Sequence, residues 1–266
     1  MFLYKAAKYI NLTWQIKKVN IQAALEYRFN FIIQIALGMF VDLLYFMLWM
    51  VFFDKFNSVS GWTLQDTALV LSIAWFGWAL TDIITGGISQ LAERITQGQL
   101  DYYMLMPHNI LWHMSVNYTE ISSFGTIPAS FVMFYYAGPI TIARCIAFFM
   151  LSIVSGMIFY NFLVITQSIG FYIRNFDPVA HELMVAMSNL IFYPYQTFSN
   201  TLKFISMFII PSFFMAVLPA QIMQSFSYYK LGILVAFWFI TFILALRLFN
   251  KGLQAYESGS LVQANI

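Results

Sequence analysis

Residues 29–53 read FNFIIQIALGMFVDLLYFMLWMVFF, twenty-five residues with a single charge, Asp42. As a helix this run is about 37 Å long at 1.5 Å per residue. That exceeds a bilayer core of roughly 30 Å, so the run reads as a membrane-spanning helix. Comparable runs recur at 68–88, 112–137, 144–172, 178–196 and 228–249. Gly, Pro and polar clusters punctuate them, among them Ser60-Gly61, Gly98, Pro107-His108-Asn109 and Gly138-Pro139.

Composition points the same way. The 266 residues are 61% hydrophobic and only 9% charged, against roughly 25% charged in a soluble domain. The chain has too few charges to cover itself in water. Its length fits one membrane domain with no separate soluble one. Cys145 is the single cysteine, which excludes an intrachain disulfide and any Cys-cluster metal site. No small-residue cleavage site follows a short apolar run near the N-terminus, so the first span is expected to remain as an anchor.

The segment 204–226 is uncharged and long enough to span. Pro211 and Pro219 argue against a straight helix there, since each removes a backbone donor and disfavours helix just before itself. Two short re-entrant helices packed against protein would satisfy that backbone. The expectation is an all-α polytopic membrane protein of six spans. It has an N-terminal interfacial segment (1–28), a six-span domain (29–249), a loop with a short helix at 89–109, a re-entrant segment at 197–227 and a tail at 250–266. With the N-terminus inside, nine of the thirteen Lys and Arg residues fall on the cytoplasmic side, the positive-inside arrangement. A seventh span would weaken that bias.

Along the first segment Ile10, Trp14, Ile21 and Leu25 share one helical face, with Lys5 and Lys8 opposite. Lys17 interrupts the stripe and is expected to snorkel to water. The loop after span two places Leu91 and Ile95 on one face, with Glu93 and Arg94 pointing elsewhere. Gly98 suits a helix C-terminus, Asp101 would cap the next turn and Pro107 would stop it. By composition the loop is an interfacial connector or a docking site for a cytoplasmic partner.

Four motifs in order resemble those of ABC-2 family permeases. Glu26-Tyr-Arg-Phe-Asn30 is similar to their E-Y-R-x-N/D-F before span one, and Gly98-Gln-Leu-Asp101 with Pro107 to their G-x-L-D … L-x-P. Pro194, Pro211 and Pro219 resemble their proline series before the last span, and Tyr256-Glu257-Ser258 their Y-x-S tail. The resemblance implies six spans, re-entrant helices before span six, cytoplasmic termini in a bacterial inner membrane and a coupling helix within 90–107. It also implies a dimer of permeases, identical or related, working with a separate ABC ATPase that binds the ATP and Mg. Leu91, Glu93, Arg94, Gly98, Leu100, Asp101 and Pro107 then fall to ATPase coupling, with Glu93, Arg94 and Asp101 as polar anchors. No Gly is followed by Lys anywhere, so the chain lacks a phosphate-cradling G-x-x-x-x-G-K-[ST] loop.

Intramembrane acids are costly unless paired or wetted. Asp42 lies near the middle of span one, and Asp82 about 9 Å from the cytoplasmic end of span two. Glu120 lies in the inner half of span three. For Asp82 and Glu120 the plain reading is a structural hydrogen bond near the interface. Asp42 reads equally as pathway lining or structural pairing, and an acid lining a pathway would favour a cationic or amphipathic passenger. Trp49, Trp62, Trp75 and Trp78 read as interface belts or helix packing. His108, His113 and His181 form no metal-ligand spacing, and no catalytic constellation is visible. The function expected is export of a hydrophobic or amphipathic compound, such as a drug-like molecule, a lipid or a glycan precursor. A passive channel or scaffold-like membrane protein without an ATPase is the alternative. Membrane lipid is an expected neighbour, and nucleic acid is not.

Overall fold

The computed structural model describes residues 2–59 and 61–256. Glu257, Ser258 and the rest of the expected tail lie outside them, as do Ser60 and the side chain of Lys5. Among the described residues the chain is all-helical, without a strand. The helices are α1 (Phe2–Leu25), α2 (Arg28–Lys55), α3 (Leu64–Thr85), α4 (Leu91–Thr96), α5 (Leu100–Met104) and α6 (Ile110–Val116). They continue as α7 (Ser123–Tyr136), α8 (Ile142–Ser168), α9 (Asp177–Phe192), α10 (Asn200–Phe208), α11 (Leu218–Gln224) and α12 (Tyr228–Ala255).

Four helical stretches are long and apolar enough to cross a membrane: Arg28–Lys55, Leu64–Thr96, Ile142–Phe171 and Tyr228–Ala255. A bent pair, Asn200–Phe208 with Phe213–Gln224, makes a fifth if counted as one span. Two stretches expected to span differ from the sequence reading. Residues 112–137 are α6 and α7 separated by an unwound break at 117–122, because Asn117, Thr119, Glu120 and Ser122 interrupt the apolar run. Glu120 therefore sits in the break and not in a helix. The other, α9, has 16 residues, about 24 Å, and Tyr193 turns extended (φ −93°, ψ 143°) ahead of Pro194.

The chain is organised around α3. It starts at a capping box, in which Thr63 N donates to Asp66 Oδ2 at 2.8 Å while Asp66 N donates to Thr63 Oγ1 at 3.4 Å. It is buried at every position from Thr67 to Gly77, packed by α7 and α8 and, less extensively, by α2, α9 and α11. A helix covered on all sides needs no amphipathic stripe. The contact with α8 is between bare backbones. A Cβ at Gly77 would stand 2.6 Å from Ser152 O and 2.7 Å from Gly156 N, and one at Gly156 would stand 2.5 Å from Gly77 O. Thr81 Oγ1 lies 2.9 Å from Gly156 O and 3.0 Å from Gly77 O, bonding across the same contact. Small residues are what allow membrane helices to approach this closely.

The prolines of 197–227 act in two ways. Pro211 lies at the 75° bend between α10 and the segment that follows. Pro219 breaks nothing: it enters the first turn of α11 directly after one π-helical turn, Phe213–Val217. Its missing N–H withdraws the usual partner of Met215 O four residues back, and Ser155 Oγ of α8 donates to that carbonyl at 2.6 Å. The freed backbone is thus met by protein.

Gly156→Ala is expected to push α3 and α8 apart and cost about 1–3 kcal/mol, the usual range for overpacking. Gly232 in α12 has nothing within 4 Å of its would-be Cβ, so Gly232→Ala should be neutral or gain up to about 1 kcal/mol of helix propensity. Thermal unfolding of the detergent-solubilised chain, followed by size exclusion, would show this contrast. Equal shifts for both variants would sink the packing argument.

Candidate functional site

Three neighbouring features occupy the end of the molecule where α3, α6 and α7 meet: a loop, a break and a cavity. The loop is α4 and α5. Leu91 and Leu100 are fully buried and anchor it to the core, and the buried Gln167 of α8 accepts from Ala92 N at 2.9 Å. Gly98 closes α4 with φ +71°, a left-handed position that favours glycine. Gln99 N then reaches back to Arg94 O at 2.9 Å. Arg94 points into the loop, donating to Tyr103 Oη and to Gln90 Oε1, each at 2.6 Å. Glu93 is exposed, as are Tyr102, Leu105 and Pro107; Leu105 is 86% exposed. Asp101 is the second residue of α5 and not its cap, which is Gln99.

The break at 117–122 is bonded from three directions. Tyr103 Oη also accepts from Asn117 Nδ2, joining the loop to the break's first residue. From α3, Asp82 O accepts from Glu120 N at 3.3 Å. From α1, Lys17 Nζ donates to Tyr118 O at 2.6 Å and to Thr119 Oγ1 at 3.0 Å, and Asn20 Nδ2 donates to Asn117 O at 3.0 Å. Lys17 is therefore buried in the protein and does not snorkel, because two unwound residues, Tyr118 and Thr119, offer it acceptors that water would otherwise supply. The expected lipid face of α1 is open, with Ile10 and Trp14 about 70% exposed. Tyr9 of α1 also packs edge-on against Trp112, with ring centroids 4.7 Å apart.

Beyond the break lies a cavity of about 600 Å³ between α2, α3, α7 and α9. Asp42 and Asp82 both line it, with Gln34, Thr126 and Asn189 as further polar groups and Tyr45, Trp75, Trp78 and Phe192 as aromatic walls. Asp82 Oδ2 accepts from Trp78 Nε1 at 2.9 Å and from Ser123 Oγ at 3.0 Å. Asp42 has the Thr126 side chain as a hydrogen-bond partner, yet its Oδ2 is buried with none. Glu120 stays outside the cavity, held by Tyr118 Oη at 3.0 Å and Ser122 Oγ at 2.9 Å.

A family model described as "ABC-2 family transporter protein" matches residues 39–260. The chain belongs to the ABC-2 transporter family. Comparison with curated proteins and with solved structures returned no match. Membership points to a permease role and implies partnership with an ABC ATPase in general.

Set on this ABC-2 chain, the residues singled out from sequence fall into separate groups. Glu93 and Pro107 are on the surface, Arg94 braces the loop from within, and Leu91 and Leu100 hold it to the core. Asp42 and Asp82, forty residues apart, meet on one cavity. Pro194 ends α9, while Pro211 and Pro219 shape the bent pair. Sequence reasoning missed Lys17, Asn20 and Asn117 as the braces of the break. The available signal was a run of polar side chains, Asn117 to Ser123, inside an otherwise apolar stretch.

Lys17→Met would strip hydrogen bonds from buried acceptors and is expected to cost about 1–3 kcal/mol. Burial lowers the Lys17 amine from its ordinary 10.5 to about 8. Between those values the unfolded chain binds more protons than the folded one, so this group makes stability rise with pH from about 8 towards 10.5. The gap in apparent Tm between wild type and Lys17→Met should widen over that window. A constant gap would show that Lys17 titrates as it does in water.

Proposed function

We propose that this chain is the permease subunit of an ATP-driven exporter in a bacterial inner membrane. In this reading α2, α3, the broken pair α6–α7, α8, α9 and α12 are six spans. The bent segment at 200–224 is re-entrant from the outer side, and both termini are cytoplasmic. A second permease, identical or related, completes the pathway. ATP and Mg bind a separate ATPase chain, since this sequence has no phosphate-cradling loop.

One observation carries the reading: a continuous set of contacts runs from the α4–α5 loop to the acid-lined cavity. Arg94 bonds Tyr103, Tyr103 is bonded by Asn117, Glu120 N bonds Asp82 O, and the Asp82 side chain faces the cavity. An ATPase pressing on Glu93, Tyr102 and Leu105 would move Tyr103 with the loop, and with it the break that borders the cavity. A two-state shift of this kind needs alternatives within a few kcal/mol of each other, and hydrogen bonds in an unwound segment are exchangeable at about 1 kcal/mol each. The cargo is a hydrophobic or amphipathic compound, supported by the aromatic walls and by exposed apolar faces on either side.

The test is purification of the chain from native membranes with every bound subunit identified. A P-loop ATPase should accompany it. Leu105→Asp and Glu93→Ala should release that ATPase or lower coupled transport by about tenfold, the equivalent of one lost contact of some 1.4 kcal/mol, with no change in Tm. Arg94→Ala should lower Tm as well, because its bonds are internal. Recovery without an ATPase under mild conditions would favour the passive channel.

A further inference from the structure

Two residues lining the cavity between α2, α3, α7 and α9 each carry a buried polar atom without a partner, the two of opposite character. One is an acceptor, Oδ2 of Asp42; the other is a donor, the indole Nε1 of Trp75. Both lie beneath the cavity wall out of reach of water, so the Asp42 charge acts on the cavity through space. Buried polar groups are normally satisfied, and each exception calls for an explanation. The Asp82 carboxylate shows the contrast, since Trp78 and Ser123 both bond it.

The surroundings identify the kind of ligand the cavity suits. Among the described residues, no Lys, Arg or His lines the cavity, whereas two carboxylates do. An anion entering it would meet repulsion and no counter-charge. Aromatic rings run along one side in contact: Tyr45 to Phe192 at 4.5 Å, Phe192 to Trp75 at 5.1 Å and Trp75 to Trp78 at 5.7 Å between centroids. Ring faces attract a cation and stack on another ring. A volume of about 600 Å³ suits a drug-sized molecule and would leave an inorganic ion mostly unsurrounded.

We infer that this cavity binds an aromatic organic cation, with Asp42 as its counter-ion. Calling that molecule the cargo rests on the permease reading; the binding site itself does not.

The experiment uses the full chain in nanodiscs and two probes of matched size and shape, tetraphenylphosphonium and tetraphenylborate. The cation should bind saturably, and the anion no more than to empty nanodiscs. Asp42→Asn should weaken the cation by about tenfold or more. If Asp42→Asn does not fold, Ser188→Trp fills the cavity and should abolish binding of the cation. Equal binding of the two phenyl ions, or cation binding indifferent to these substitutions, overturns the inference. A chain that brings an ATPase but holds no cation keeps the permease reading and loses this one. Saturable, Asp42-dependent binding without an ATPase does the reverse.

Discussion

The backbone contact between α3 and α8 at Gly77 and Gly156 is the constraint on which the rest of the arrangement depends. In hydrocarbon there is no water to drive two helices together, so close approach, dispersion and interhelical hydrogen bonds must do it. Two facing glycines allow the first two, and Thr81, lying close to both glycine carbonyls, provides the third. With α8 fixed on one side, α3 leaves its other sides to α7, α2, α9 and α11. That is why α3 is buried so thoroughly while α2 and α12 stay open along most of their length. The cavity lies where α2, α7 and α9 surround one side of α3. The side chains reaching in from α3, Trp75, Trp78 and Asp82, are therefore held on a fixed post.

A second constraint governs the irregular parts. Wherever the helical ladder is interrupted, the freed groups need protein partners. At Pro219 the partner is a single hydroxyl, Ser155, because the π-helical turn leaves one carbonyl to meet. At 117–122 six residues are unwound, and the partners come from three elements, including a lysine more than a hundred residues away in sequence. The polar side chains of α1 thus have a structural use beyond membrane-surface charge. Tyr9 against Trp112 extends that support to the start of α6.

These two constraints explain what was legible in the sequence. Residues 29–53, 144–172 and 228–249 announce themselves because each is a long, nearly uncharged run, and length against bilayer thickness decides them. The stretch 112–137 misled because averaging over it hides four polar residues in six. Lys17 read as a snorkelling lysine because its acceptors exist only once a distant segment unwinds. Pro219 read as a breaker because its compensation lies on another helix. The glycine contact did have a local signal, the small-residue spacings Gly77-x-x-x-Thr81 and Ser152-x-x-x-Gly156. That Asp42 and Asp82 share a cavity had none, since the azimuth of one span against another follows from packing and not from hydropathy.

The division between rigid and exchangeable parts bears on how such a molecule would move. Glycine-packed helices cannot slide without losing their contact abruptly, as dense packing is not continuously deformable. The break is held instead by hydrogen bonds to carbonyls, hydroxyls and amide groups, each worth about 1 kcal/mol net and replaceable by water. A force arriving through Tyr103 meets this softer junction before it meets α3. Motion would therefore concentrate at 117–122 and swing α7, with Ser123 and Thr126, against a stationary Asp82. The bond from Ser123 to Asp82 would be the first to part. That would leave Asp82, like Asp42, short of partners on the cavity wall, so a change at the loop would alter how strongly the cavity holds a positive charge.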